Sequence, residues 1–162
     1  MTHSNDILKG RVVICTYPEK KQDELVAMLT QEGATVFSMP VIEILPLPFL
    51  LEKNINQYHW LVFTSKNAVH PFTDRYPEVP CKIAALGKQT AQKLEQFHLP
   101  PAFVGSGRSA HEFVREFLPE LQYDEKVLVV LGDLAPDTLQ QELGKKAEVD
   151  RINVYQTNPA AA

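Results

Sequence analysis

A few short stretches hold the groups with which this chain can do chemistry. Thr64 and Ser65 follow the apolar run Trp60-Leu61-Val62-Phe63, and a helical pattern opens behind them at Lys66-Asn67-Ala68-Val69. Gly87 and Thr90 stand in Leu86-Gly87-Lys88-Gln89-Thr90-Ala91, and Gly105 and Ser106 in Val104-Gly105-Ser106-Gly107-Arg108-Ser109. Gly132 and Asp133 follow Leu131, and Tyr155 lies in Val154-Tyr155-Gln156-Thr157. Hydroxyls and free N–H groups at helix starts bind anions. A phenol donates a hydrogen bond or a proton. Each stretch also has a purely structural reading. Ser65 and Asp133 fit as N-caps, Thr64 as a packed strand residue and Gly87 as part of an ordinary strand-to-helix turn. Residues 104–109 fit as a flexible connector, and Tyr155 as an edge-strand aromatic. No nucleophile stands beside a base, no carboxylates pair for acid–base work, and no phosphate loop carries a lysine. Any enzyme site here is therefore built from hydroxyls, backbone amides and a tyrosine.

Composition narrows the classes further. The chain has 162 residues, 44% hydrophobic and 22% charged, with a formal charge of −4. That suits a globular protein of one domain, or one domain and part of another. The negative balance argues against a nucleic-acid partner, which needs a basic face. No apolar run is long enough to span a membrane, and the first residues lack the order of a signal peptide, so a cytoplasmic location is expected. Cys15 and Cys81 sit in separate apolar runs and read as small buried hydrophobes. Neither they nor His3, His59, His70, His98 and His111 are spaced as metal ligands, and no metal is expected. The pairs Lys20-Lys21 and Lys145-Lys146 read as solvated helix ends.

The elements that must position these groups alternate along the chain. A strand is expected at 11–15, an amphipathic helix at 20–32 stopped by Gly33, and a second strand at 34–39 closed by Pro40. Residues 41–48 carry two prolines and read as an extended linker rather than a sheet centre. Strands are then expected at 59–64, 82–86, 102–104, 126–131 and 152–157. Helices are expected from about 66, at 88–99, from Ser109 with Glu112 completing a capping box, and at 133–143. Strands alternating with helices imply right-handed crossovers and a largely parallel sheet. The block from about 50 to 155 has enough strands for a flavodoxin-like three-layer domain. The first block has only one βαβ unit, too little to cover its own sheet.

The motifs occur in an order that resembles the uroporphyrinogen-III synthase family. They are Phe63-Thr64-Ser65-Lys66-Asn67-Ala68-Val69, Ala84-Ala85-Leu86-Gly87-Lys88-Gln89-Thr90-Ala91, Gly132-Asp133 before a Leu-rich helix, and Val154-Tyr155-Gln156-Thr157. The resemblance runs from about Arg11 to Thr157. It implies an α/β protein with one complete flavodoxin-like domain at 43–155. An incomplete domain at 1–42 and a return tail at 156–162 would join it through a two-stranded linker at Val41 to Leu45 and Ile152 to Gln156. The returning half of the first domain is expected to be absent. The activity implied is closure of hydroxymethylbilane, supplied by porphobilinogen deaminase, to uroporphyrinogen III. Ring D is inverted and water is lost, without a cofactor. Tyr155 matches the family's candidate proton donor. Local donors at Thr64, Ser65, Gly87, Thr90, Gly105, Ser106, Gly132 and Asp133 would hold the polycarboxylate substrate. The chain departs from the family in having Thr16-Tyr17-Pro18 and Leu131-Gly132-Asp133-Leu134 where arginines are common, which removes charge-assisted carboxylate contacts.

Two other readings follow from the same residues. A degenerate domain could bind a tetrapyrrole or a protein, with self-association through the open sheet edge. A flavodoxin-like nucleotide or flavin binder is the third, suggested by residues 104–109.

Overall fold

A computed structural model describes residues 7–18 and 24–160. The chain divides into two compact units, one of residues up to Ile44 together with those from Thr157, the other Leu45–Gln156. In the first unit β1 (Val12–Cys15) and β2 (Thr35–Ser38) pair in parallel, Ile14 opposite Phe37, with α1 (Glu24–Gln31) between them in sequence. The expected start of α1 at Lys20, and the Lys20-Lys21 pair, lie outside the described residues. Cys15 and Ala34 are buried, whereas Val12, Ile14 and Phe37 are each more than half exposed on one sheet face. Parallel strands are ordinarily covered on both sides; these two are not.

The second unit is built on β4 (Trp60–Phe63), whose four residues are all buried. It pairs in parallel with β5 (Lys82–Ala85) on one side and β7 (Lys126–Gly132) on the other. Beyond them lie β6 (Phe103–Val104) and β8 (Glu148–Pro159), also parallel. β3 (Ile42–Pro46) closes the sheet, giving the order β3-β8-β7-β4-β5-β6. Leu47 N–H donates to Val154 O and Ala160 N–H to Val41 O, so β3 runs opposite to β8. The segment expected as an extended crossing is thus a paired edge strand, a place where Pro46 at its end costs no ladder bond.

Helices cover both faces. α2 (Lys66–Thr73) and α3 (Lys88–Gln96) pack Val69, Phe72 and Leu94 onto Leu61, Phe63 and Val130. On the other face α4 (Ala110–Phe117) and α5 (Thr138–Leu143) pack Phe113, Phe117, Leu139 and Leu143 onto Trp60, Val62 and Val129. Right-handed crossovers dictate this split. Stepping from β4 out to β6 places helices on one face, and returning past β4 to β7 and β8 places them on the other. The three expected layers are therefore present. Counted within this unit, the strand order is third, second, first, fourth, fifth, whereas flavodoxin-like sheets run second, first, third, fourth, fifth.

Two boundaries differ from the sequence reading. β8 begins at Glu148 rather than 152, because partners across the fold compensate its charged residues (below). α5 begins at Thr138 rather than 133, so Asp133 is not its N-cap. The preceding loop is held instead by Arg151, which donates to Asp137 Oδ1 at 2.8 Å and to Gly132 O at 3.2 Å. Among the described residues no helix is long and apolar enough to cross a membrane.

At the amino edge of the sheet a polar cluster ties the chain before β4 to the start of β8. Lys53 Nζ lies 2.7 Å from Asp150 Oδ2 and 2.6 Å from Glu148 Oε1, and Tyr58 Oη donates to Asp150 Oδ2 at 2.8 Å. Partial burial pushes the Asp150 carboxyl upward, but the hydrogen bonds from Lys53 and Tyr58 outweigh it and hold the group below the usual carboxylate range. A carboxylate whose native pKa is depressed stabilises the fold fully above its unfolded value and loses that contribution as pH falls through the native one. With the Asp150 side chain about a third exposed, we discount the contribution of its carboxylate to about 1 kcal/mol. Asp150→Asn is therefore expected to lower Tm by about 2–4 °C at pH 7. The gap from wild type should close as pH drops below about 4, as thermal melts at pH 7 and pH 3 would show.

Candidate functional site

Because the strands from β4 to β8 are parallel, their carboxyl ends share one edge, and every nominated residue falls on or beside it. A cleft of about 510 Å³ opens there at the ends of β4, β5 and β6. Of the residues nominated from sequence, Thr64, Ser65, Gly87, Thr90 and Ser106 line it. Lys66, Asn67, Lys88, Gln89 and Gly107 line it too.

The cleft's donors are not equally available. Ser65 is the N-cap of α2, its Oγ accepting from Asn67 N–H at 3.2 Å, so the structural reading of Ser65 holds and its oxygen is engaged. At α3 the cap is Gly87, which offers no side-chain acceptor. The first turn of α3 therefore presents unsatisfied N–H groups to the cleft. Thr90 is only 6% exposed and lines the same space. Among the described residues no hydrogen-bond partner is found for the Thr64 or Thr90 hydroxyl. Together with the positive end of the α3 dipole, these groups make an anion-receptive floor.

Close backbone packing shapes the third wall. A Cβ on Gly87 would lie 2.7 Å from Gly107 Cα, and Gly107 has φ +76°, a conformation open to glycine. Gly105 is buried and its N–H is bonded to Ala85 O at 2.9 Å. The Ser106 N–H donates to Glu116 Oε2 at 2.8 Å. The backbone hydrogen bond from Ser106, helped by its side chain, holds the Glu116 carboxyl below the usual range. These two amides, nominated for a ligand, are thus engaged by the protein itself.

Gly132, Asp133 and Tyr155 lie at the same edge but outside that cleft, on β7 and β8. With strands about 4.8 Å apart, β8 stands roughly 10 Å from β4. A bulge shifts the register, so that Leu131 faces Asn153 but Gly132 faces Tyr155. The Tyr155 ring then packs directly against Gly132, where a Cβ would meet its Cε2 and Cζ at 2.4 Å. Asp133 N–H donates to Tyr155 O at 3.0 Å, which fixes the backbone on both sides of the phenol. Tyr155 packs partly against the α2–α3 side of the core, and no hydrogen-bond partner of its hydroxyl is found among the described residues. Glu116 and Arg151 were not nominated from sequence. Each acts on a loop distant along the chain, and spacing carries no trace of that. Among the described residues no group of three or more His, Cys, Asp or Glu side chains is placed to hold a metal ion.

The family model described as "Uroporphyrinogen-III synthase HemD" matches residues 23–162. The "Porphyrin biosynthesis protein HemD" of Ruminiclostridium josui is 28% identical over 93% of this chain and 33% of its own length. A "Uroporphyrinogen-III synthase" of Synechococcus elongatus is 30% identical over 64% of this chain and 46% of its own. The chain thus spans less than half the length of these relatives. In fold it is similar to the uroporphyrinogen III synthases of Thermus thermophilus (a mutant form) and Helicobacter pylori. Each has a TM-score of 0.64, at 17% and 20% identity, covering 93% and 94% of this chain and 63% of the solved chains. On the match of the family model across most of its residues, the chain belongs to the uroporphyrinogen-III synthase family.

Proposed function

We propose that this chain contributes to the cyclisation of hydroxymethylbilane to uroporphyrinogen III, a hydro-lyase reaction of haem biosynthesis, in the cytoplasm and without a cofactor. The observation that supports this best is the single sheet edge bearing both the anion-receptive floor at Thr64, Gly87 and Thr90 and the Tyr155 phenol. The substrate is a flexible polycarboxylate. Bulk electrostatics do not attract it to a chain of charge −4, so its carboxylates are held locally. The α3 N–H groups, the Thr64 and Thr90 hydroxyls and Lys88 supply the contacts. Tyr155 donates a proton to the departing hydroxyl, and water leaves. The resulting cationic azafulvene closes through a spiro intermediate, and the proton released at closure restores the phenol. The remaining work is to bring the two ends of the chain of pyrroles together, which is positioning rather than acid–base chemistry. Porphobilinogen deaminase supplies the substrate. The non-catalytic alternative is not favoured, since the named relatives are synthases or porphyrin-biosynthesis proteins.

The test is a coupled assay of porphobilinogen deaminase with and without this chain, reading the isomer I to isomer III ratio after oxidation. Enrichment of isomer III is expected; isomer I alone from a folded sample overturns the proposal. Tyr155→Phe, which keeps the ring on Gly132, is expected to cut the rate of isomer III formation by about 100-fold, the low end for a general acid. An unchanged rate and ratio would remove Tyr155 from the mechanism. Gly132→Ala must displace the Tyr155 ring, and is expected to lose about 1–3 kcal/mol of stability together with most of the isomer III yield. Chemical denaturation alongside the assay checks both effects.

A further inference from the structure

The wall of the cleft at residues 105–107 is glycine-rich, and such a loop has much conformational freedom to lose. Two attachments hold it. Gly105 N–H is bonded to Ala85 O, which only continues the sheet. The other attachment is a charge: Glu116, on the last turn of α4, accepts from Ser106 N–H at 2.8 Å. Beyond Ser106 comes Gly107, whose Cα packs so closely on Gly87 that neither glycine tolerates a side chain.

Arg115 Nη2 lies 2.7 Å and Arg108 Nη1 3.8 Å from Glu112 Oε1; their charges also favour the ionised form of Glu116, whose Oε2 is held by Ser106 N–H. A carboxylate seated on a backbone N–H in a glycine loop is the arrangement an anionic ligand would adopt there.

We propose that Glu116 is a positioning residue that takes the place of a ligand carboxylate on Ser106. It thereby fixes Gly107 against Gly87 and steers bound carboxylates to the first turn of α3. The steering role rests on the carboxylate-binding reading of the cleft; the fixing of the loop does not.

Two variants separate these roles. Glu116→Ala removes the acceptor, while Glu116→Gln keeps an oxygen for Ser106 N–H and loses the charge. Backbone hydrogen exchange at Ser106, read by NMR, is expected to quicken about tenfold in Glu116→Ala and less in Glu116→Gln, as loss of a charge-assisted bond implies. The probe for the cleft is uroporphyrin, a stable polycarboxylate read by fluorescence. Its Kd is expected to rise about fivefold in Glu116→Ala and to be partly restored in Glu116→Gln, with melting curves showing all three proteins folded.

Unchanged exchange at Ser106 in Glu116→Ala overturns the proposal. So does faster exchange with an unchanged Kd, since the loop would then be held without shaping the site. If the wild-type chain does not bind uroporphyrin, the carboxylate-binding reading and the steering role fall together. Ser106 exchange then still decides the fixing of the loop by itself.

Discussion

The candidate site depends on β4 being covered from both sides. Trp60 and Val62 meet the α4–α5 layer while Leu61 and Phe63 meet the α2–α3 layer, and none of the four is more than 2% exposed. A strand so placed has parallel neighbours on each side, and each neighbour must be reached by a helix crossing back over the sheet. That requirement puts every strand exit on one edge and aims the starts of α2 and α3 at it. Anion affinity at this edge is therefore a by-product of topology before any side chain is chosen. The choice of Gly87 over a capping residue then decides which donors stay open.

The division between engaged and open donors is the informative feature of the edge. Ser65 Oγ, Gly105 N–H, Ser106 N–H and Asp133 N–H each have a protein partner. What remains is concentrated at α3, with the hydroxyls of Thr64 and Thr90 beside it. A site that binds through unspent backbone donors needs few distinctive side chains, in keeping with the absence of any catalytic pair in the sequence. It does need backbone held to a few tenths of an ångström. The contacts of Gly87 with Gly107 and of Gly132 with Tyr155 supply that rigidity, since in both places the missing Cβ is what permits the approach.

Much of the fold was legible because its signals are local. The run Trp60 to Phe63, the capping box at Ser109 and Glu112, and the glycines that follow strands each fix an element by nearest-neighbour chemistry. What could not be read from sequence depends on partners far along the chain. Glu148 and Asp150 look unlike strand residues until Lys53 and Tyr58 are seen to compensate them. Asp133 looks like an N-cap until Arg151 is found holding the loop out of the helix. For the candidate site, sequence pointed to strand exits that share one edge but did not show which donors have a protein partner. A hydroxyl that caps a helix and one that faces a cleft have the same letter. The close packing of Tyr155 on Gly132 was also hidden, because a bulge in β8 changes the facing residue and leaves no mark in the alternation.

The edge is uneven in charge, and this bears on how a flexible polycarboxylate would lie on it. Lys66 and Lys88 stand at the β4–β5 end beside the helix starts, whereas the β7–β8 end carries Asp133, the well-exposed Leu134 and the Tyr155 ring. Arg151 adds no open charge there, because its guanidinium is used on Asp137, Asn153 and Gly132. On the proposed reading, carboxylates gather at α3, and the apolar face of a pyrrole is left to lie toward Leu134 and the phenol, roughly 14 Å away across the three strand spacings from β5 to β8. That span exceeds one pyrrole unit and its bridge. A carboxylate held at Thr90 therefore leaves a ring further along the bilane, not the adjacent one, to reach Tyr155. The orientation comes from helix starts and lysines at one end and from a weakly polar, aromatic surface at the other.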